Sequence, residues 1–335
     1  MVERFQTDVL IIGAGVAGMA AALEAHRAGA EVELAWAGGG ASTLAQGGMA
    51  AAVGKDDCPA AHAADTLAAG AGLSQPEVVN SIVSKGAGAV QWLSAQGVEW
   101  DREANGSLAL AMEAAHSRPR VAHAGGDRSG HAITQALRQR LIDVKLHPNA
   151  SLEGLLVDEA GVAGAQLHSD NELLEVRAGS TILAVGGYAG LYQRTATSPN
   201  CNGAALALAA HAGAELADLE LVQFHPTVYS GSGDPFLITE ALRGAGARLI
   251  DQEGRCFLGD YDPRGELAPR GVVSRAILDH LMRSAQGATS VGLDVRHLDP
   301  ELLARDFGGF LGCCHRQGLD PTRQIIPVAP AAHYT

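Results

Sequence analysis

The stretch Thr7-Asp8-Val9-Leu10-Ile11-Ile12-Gly13-Ala14-Gly15-Val16-Ala17-Gly18 decides the fold. Thr7 to Ile12 reads as a strand that ends in the apolar run Val9 to Ile12, glycines close it at once, and a helical pattern then continues to about Arg27. A buried parallel strand, a tight glycine turn and a helix together open a dinucleotide site. Gly13 permits the sharp turn, Gly15 lets the backbone approach a pyrophosphate, and Gly18 lets the helix lie close to the strand. Ala14, Val16 and Ala17 complete the turn and start the helix, whose N-terminal N–H groups favour phosphate charge. Glu31 to Trp36 supplies the second strand. An acidic residue commonly ends that strand and holds an adenosine ribose. Here Trp36 occupies the end and joins the candidate cofactor contacts, with Glu33 earlier on the strand. The glycines alone leave FAD and NAD both open.

At 335 residues the chain is long enough for about two domains, taking ~150 residues for each. With 47% hydrophobic and 18% charged residues it reads as globular rather than disordered, and 42 glycines suit tight turns and close helix-to-sheet packing. The formal charge of -13 gives no general attraction for nucleic acid or an anionic membrane, so an anionic substrate needs a local cationic pocket. Cys58, Cys201, Cys256, Cys313 and Cys314 are odd in number, hold no C-x-x-C pair and give no zinc or disulfide pattern. No run approaches the ~18 apolar residues of a membrane span, and the chain start lacks a basic n-region or cleavage site. The expectation is a soluble protein of the reducing cytoplasm.

Ser42-Thr43-Leu44-Ala45-Gln46-Gly47-Gly48-Met49-Ala50 is small and polar, suited to wrapping a cofactor with backbone N–H groups. Here the sequence resembles the succinate dehydrogenase, fumarate reductase and L-aspartate oxidase flavoproteins, whose S-T-x-x-A-Q-G-G stretch lines FAD. The loop is one residue shorter than the usual aspartate-oxidase form. No histidine stands between Leu34 and Gln46, where respiratory members carry the one bonded to flavin, so the resemblance implies noncovalent FAD. Ser180 to Val185, followed by Gly186-Gly187-Tyr188, resembles the family's A-T-G-G strand end, with Val185 in place of threonine.

From about Leu216 the strand-helix alternation gives way to Phe224-His225-Pro226-Thr227, then Leu237-Ile238-Thr239-Glu240-Ala241-Leu242-Arg243-Gly244, then Gly265-Glu266-Leu267-Ala268-Pro269-Arg270. Polar residues beside rigid Pro and Gly turns suit a preorganised site for a small substrate. Arg270 has the geometry to bind a carboxylate bidentately or to mediate proton transfer, and His225 and His333 can donate to carboxylate oxygens. Taken singly, each has a bland rival: a core histidine, or a surface ion pair.

The resemblance carries His225, Thr239, Glu240, Arg270 and His333 over to the family's dicarboxylate-binding and catalytic positions, with Arg270 as the proton-transfer residue. Glu113-Ala114-Ala115-His116-Ser117, Ala268-Pro269-Arg270 and Pro330-Ala331-Ala332-His333-Tyr334-Thr335 resemble the E-G-G-H-S, A-P-R and P-A-A-H-Y-T of the L-aspartate oxidases. There the glutamate matching Glu113 orients the substrate's amino group. What the resemblance implies is an α/β fold, with a Rossmann-like FAD-binding domain over residues 1–216 and an inserted α+β capping domain over 217–334 that closes the substrate over the flavin. It implies oxidation of L-aspartate to iminoaspartate, with O2 (giving H2O2) or fumarate as acceptor, feeding NAD synthesis through quinolinate synthase.

Two departures stand out. Gly203-Ala204 replaces a G-D-G, and family members continue past the position of Thr335 through a segment that returns to the FAD domain. Other readings are a soluble fumarate reductase, a shortened and inactive flavoprotein, and an NAD-dependent dehydrogenase, which leaves the Gln46-Gly47-Gly48 and Arg270 motifs unexplained. A zinc enzyme built on His116, His123 and His131 lacks any known ligand spacing, so no metal is expected.

Overall fold

The structure, a computed structural model, describes residues 2–113, 115–169, 172–284 and 287–335. Ala114, within the Glu113 to Ser117 motif, lies outside the described residues. The chain forms two compact units, one of Met1–Leu44, Thr134–His225 and Ala331–Thr335, the other of Ala45–Ile133 and Pro226–Pro330.

The first unit is built on the opening motif. Strand β1 (Val2–Ile12) leads through the glycine turn into helix α1 (Val16–Arg27) and then strand β2 (Val32–Trp36). Strands β3 (Lys145–Pro148), β4 (Ala150–Asp158), β5 (Gly161–Ser169) and β6 (Glu172–Leu183) complete a sheet of order β3-β2-β1-β6-β5-β4. Strands β3, β2, β1 and β6 run parallel, and β5 is antiparallel to both β6 and β4. The α/β class is therefore the one expected.

Leu10, Ile11, Leu34 and Ala35 are fully buried. Parallel strands covered on both faces carry unbroken apolar runs such as Val9 to Ile12, which is why this strand was readable. Leu10, Ile12, Ala35, Leu167, Leu174 and Val176 form a core cluster across the sheet, while Met19 and Ala22 of α1 are also fully buried. Ala204–His211 forms an alanine-rich helix.

In the second unit, helices Pro59–Ala69 and Pro76–Ala95 each start with proline, whose fixed φ and missing N–H suit the first turn. Ala63, Val79 and Val83 form the core between them. A small antiparallel sheet has the order Met49–Ala50, Val121–Ala122, Leu110–Ala111. A four-stranded sheet has the order Gln223–Tyr229, Ile326–Tyr334, Val291–Asp294, Arg248–Ile250, its first two strands continuing along the chain into the first unit. Helix Arg270–Arg283 sends Val273, Ala276, Ile277 and Leu281 into a core shared with Leu249, Phe257, Leu293, Phe310, Ile326 and Val328.

Residues 45–133 group with 226–330, and after Leu44 the chain builds a helix pair and a small sheet of its own. Among the described residues no helix is long and apolar enough to cross a membrane.

Candidate functional site

The glycine turn has the shape its sequence demands. Gly13 has φ +110°, and a Cβ there would lie 2.1 Å from the Ala184 carbonyl oxygen; one on Gly18 would lie 1.7 Å from that of Gly13. Gly15 is different. Its Cβ would meet only Ser42, with Oγ at 3.0 Å, so this glycine keeps open the space in front of the helix rather than relieving a clash with backbone. Gly15 caps α1 without a side-chain hydrogen bond, and the first helical N–H, that of Val16, donates to Ser42 Oγ at 3.2 Å. The turn at Gly13 to Gly18 and the start of the Ser42 loop are thus brought together. Ser42, Thr43 and Leu44 form one short helical turn, with Leu44 exposed.

The rest of that loop, Ala45 to Gly48, belongs to the second unit. The Ala45 carbonyl accepts from Gly130 N at 2.9 Å. A Cβ at Gly48 would lie 2.3 Å from the Ala122 carbonyl oxygen, so close backbone approach in the small sheet explains this glycine without a ligand. Gln46 donates from Nε2 to the Leu237 carbonyl at 2.9 Å, while its Oε1 is buried and has no hydrogen-bond partner among the described residues. A buried acceptor without a donor is costly unless a ligand supplies one.

Gly186 has φ +77° and space for a Cβ at 3.5 Å from Cys201 Sγ. A Cβ at Gly187 would lie 1.7 Å from Thr335 Oγ1, which also accepts from Tyr188 N at 3.0 Å. The turn after β6 is therefore tied to Thr335, a partner outside the motif that singled it out. Trp36 ends β2, half-buried. Glu33 is buried and taken: its Oε2 lies 2.6 Å from His147 Nε2 and its Oε1 accepts from Lys145 Nζ at 3.0 Å. It fastens β2 to β3 and is not available to a ribose. Ala204 opens its helix, with its N–H donating to Asn202 Oδ1 at 3.0 Å.

The substrate candidates fall into three local groups. His225 is buried, with its ring centroid 5.5 Å from that of His333 in an edge-on arrangement. Arg270 donates from Nε to Glu240 Oε2 at 2.5 Å, with the two side chains 34% and 24% exposed. Thr239 caps the helix Glu240–Gly244, its Oγ1 accepting from Ala241 N at 3.4 Å. That bond leaves the hydroxyl hydrogen free to donate. Glu113 pairs with His123, Oε1 to Nε2, at 3.2 Å. The hydrogen bond from His123 holds Glu113 below its ordinary value; burial opposes this, and the charges of His123, Arg270 and His116 add to it.

Three groups escaped the sequence reading. Arg243 is buried beside Glu240, with Nη2 3.4 Å from Glu240 Oε1, and it donates from Nη1 to the Glu266 carbonyl. Its position three residues after Glu240 on a helical segment was the signal. Burial pushes its guanidinium down from the ordinary value. Arg120 is fully buried, donating to Asp57 from Nε at 2.8 Å and Nη2 at 2.9 Å, and to Asp65 Oδ2 from Nη1 at 2.5 Å. Asp65 Oδ2 also accepts from Ser117 N and Oγ, both at 2.8 Å, while Arg120 Nη1 reaches His116 Nδ1 at 3.2 Å. This network anchors the Glu113 to Ser117 motif from its C-terminal side. His123 was weighed in the sequence only as a metal ligand, and its partner is Glu113.

These features define an FAD-binding protein. A family model for the FAD binding domain matches residues 8–335, and the chain belongs to that family. Among its relatives it is 45% identical to an L-aspartate oxidase of Caulobacter vibrioides, over 97% of this chain and 65% of that one, and 41% identical to an L-aspartate oxidase of Streptomyces coelicolor, over 98% and 59%. A solved chain of E. coli quinol fumarate reductase superposes with a TM-score of 0.90 at 30% identity, covering all of this chain and 61% of that one. The chain thus spans less than two thirds of the length of these relatives. The residues present in the first unit fit the cofactor: a glycine-lined helix N-terminus with the Gly15 position open.

Proposed function

We propose that this chain is the greater part of an L-aspartate oxidase, a cytoplasmic enzyme that converts L-aspartate to iminoaspartate. When bound, FAD supplies the acceptor for the hydride leaving the substrate's Cα. Gly13 to Gly18, with Trp36, Ser42 to Gly48, Gly186 and Gly187, would hold it, noncovalently because no histidine stands near the loop.

The observation that carries the reading is the Glu113 carboxylate, whose Oε1 lies 3.2 Å from His123 Nε2 and whose ordinary value is lowered first by that hydrogen bond, with the charge of Arg270 adding to it. A site for an unsubstituted dicarboxylate gains nothing from a fixed anion, whereas an α-amino acid brings an ammonium that needs one. His225, His333 and Thr239 are assigned to the substrate carboxylates as hydrogen-bond donors. Arg270 is assigned to proton transfer, and Glu240, hydrogen-bonded to it and flanked by Arg243, is a carboxylate able to take up and return that proton.

The acceptor that closes the cycle is O2, giving H2O2, or fumarate, and the imine would pass to a quinolinate synthase. Its structural likeness to quinol fumarate reductase favours a second reading, a soluble fumarate reductase. Purified chain supplied with FAD and L-aspartate in air should produce peroxide. Fumarate reduction with no aspartate turnover would establish the second reading instead, and failure to retain flavin would mark an inactive remnant.

A further inference from the structure

His123 has both ring nitrogens on acceptors. Nε2 lies 3.2 Å from Glu113 Oε1 and Nδ1 lies 3.3 Å from the Gly126 carbonyl oxygen. A neutral imidazole has one N–H, and a carbonyl oxygen cannot donate, so this geometry is satisfied in full by the doubly protonated ring beside an ionised Glu113. The carbonyl is held in place: Gly125 and Gly126 take φ of +69° and +65°, their N–H groups both donate to Asp101 at 2.9 Å, and Asp101 N donates back to the His123 carbonyl at 2.8 Å. His123 is 23% exposed and Glu113 40% exposed, so the pair can be reached from solvent.

We propose that His123 is a cationic latch on Glu113, which the ammonium group of an α-amino acid substrate replaces while His123 releases its Nε2 proton to solvent. The inference rests on the reading of Glu113 as the amino-group ligand. In the free protein the latch keeps the Glu113 carboxylate charged and oriented. On binding, one ammonium N–H···O contact to Glu113 forms, the His123 contact breaks, and one proton leaves for solvent, so one cation replaces another beside Glu113. A substrate without an amino group gives no exchange. The charged groups facing the pair agree in direction: Glu113 and Asp101 raise His123 above its ordinary value of 6.5, while Arg270 and His116 join His123 in lowering Glu113. His123 is a positioning residue in this scheme, since it acts through Glu113.

The test has two arms on the whole chain with FAD. First, the His123 ring is titrated by NMR in the free protein and in Glu113→Gln. The ring should titrate above free histidine in the wild type and fall back in the variant; identical titrations overturn the latch. Second, binding of L-aspartate and of succinate is measured by calorimetry in two buffers of different ionisation enthalpy, near the titration midpoint of His123. Aspartate should release a substantial fraction of one proton, approaching one at lower pH, and succinate none; His123→Gln should abolish the release. If Glu113→Gln weakens aspartate binding yet no proton is released, the latch is wrong and the functional reading stands. If Glu113→Gln leaves aspartate binding intact, the reading of Glu113 as amino-group ligand fails and the exchange falls with it, whatever the titration shows.

Discussion

Arg270 and Glu240 form a direct ion pair, Nε to Oε2 at 2.5 Å, joining residues 30 positions apart in the sequence. In the proposed function this contact makes Glu240 a partner of the proton-transfer residue, beside the substrate-binding role expected of it. Positioned acid-base groups contribute about 10²–10⁴-fold to rate. Glu240→Gln should therefore lower the rate of flavin reduction by L-aspartate at least about 10²-fold, with a smaller effect on aspartate affinity. Stopped-flow measurement over a range of aspartate concentrations separates the two. A loss confined to affinity would return Glu240 to substrate binding.

Gly15 and Gly13 should respond differently to alanine. At Gly13 the added Cβ meets backbone at 2.1 Å and the backbone takes positive φ, so Gly13→Ala should damage the fold itself. At Gly15 only the Ser42 hydroxyl stands nearby, at 3.0 Å, and a side chain can move. Gly15→Ala should keep a melting temperature within a few degrees of wild type in the cofactor-free protein but retain much less flavin. The ratio of absorbance at 450 and 280 nm after desalting measures this. Full flavin retention would show that the cofactor does not approach Gly15.

Glu33 gives stability with a defined pH dependence. Burial pushes its carboxyl up, but the hydrogen bonds and charges of His147 and Lys145 together outweigh burial, so the folded-state value lies below the ordinary 4.5. A depressed carboxylate stabilises the fold above its unfolded value, and that contribution is lost as pH falls through the folded one. Glu33→Gln should cost about 1.5–3 kcal/mol near neutral pH, the range for hydrogen bonds to charged groups. The cost should shrink below about pH 4. Urea unfolding of both proteins at neutral and acid pH provides the comparison.

Arg120→Met should be more damaging, because it leaves the buried Asp57 carboxylate and the mostly buried Asp65 carboxylate without their cation. Breaking a buried pair from one side costs about 3–5 kcal/mol. Asp65 is pushed down to about 2, first by the Ser117 N–H and then by Arg120 and the Ser117 hydroxyl against burial, so its contribution persists until pH falls from about 4 toward that value. Ala115→Gly should act in the opposite sense. Ala115 sits at φ +67°, where a Cβ costs about 1–2 kcal/mol that glycine avoids, at a position where the resembling motif carries glycine. Chemical denaturation midpoints of the two variants should move in opposite directions.

What was legible in the sequence was local. Thr7 to Gly18 spelled out strand, turn and helix, because a doubly covered parallel strand is an unbroken apolar run and each turn glycine has its own steric reason. Glu33 was visible as an acidic residue on β2, but its partners Lys145 and His147 lie more than 100 residues away on β3, and no local pattern announces them. Residues 45–133 joined 226–330 through tertiary contacts that have no counterpart in composition or spacing. Among the site candidates, His225 with His333 and Glu240 with Arg270 came together in pairs. Thr239 proved to be a helix cap as well, a role that the following Glu240 to Gly244 segment could have suggested. His123 was weighed only as a metal ligand because its pairing with Glu113, ten positions away, follows no helix or strand spacing.

In the proposed function this chain binds FAD in the glycine-lined site and L-aspartate delivers electrons to it. Purified chain loaded with FAD, freed of unbound cofactor and kept anaerobic, should lose its absorbance near 450 nm when L-aspartate is added. Arg270→Leu should bind the flavin but keep its colour. A yellow protein that L-aspartate fails to bleach, or an Arg270→Leu protein that bleaches as fast as wild type, would contradict the account.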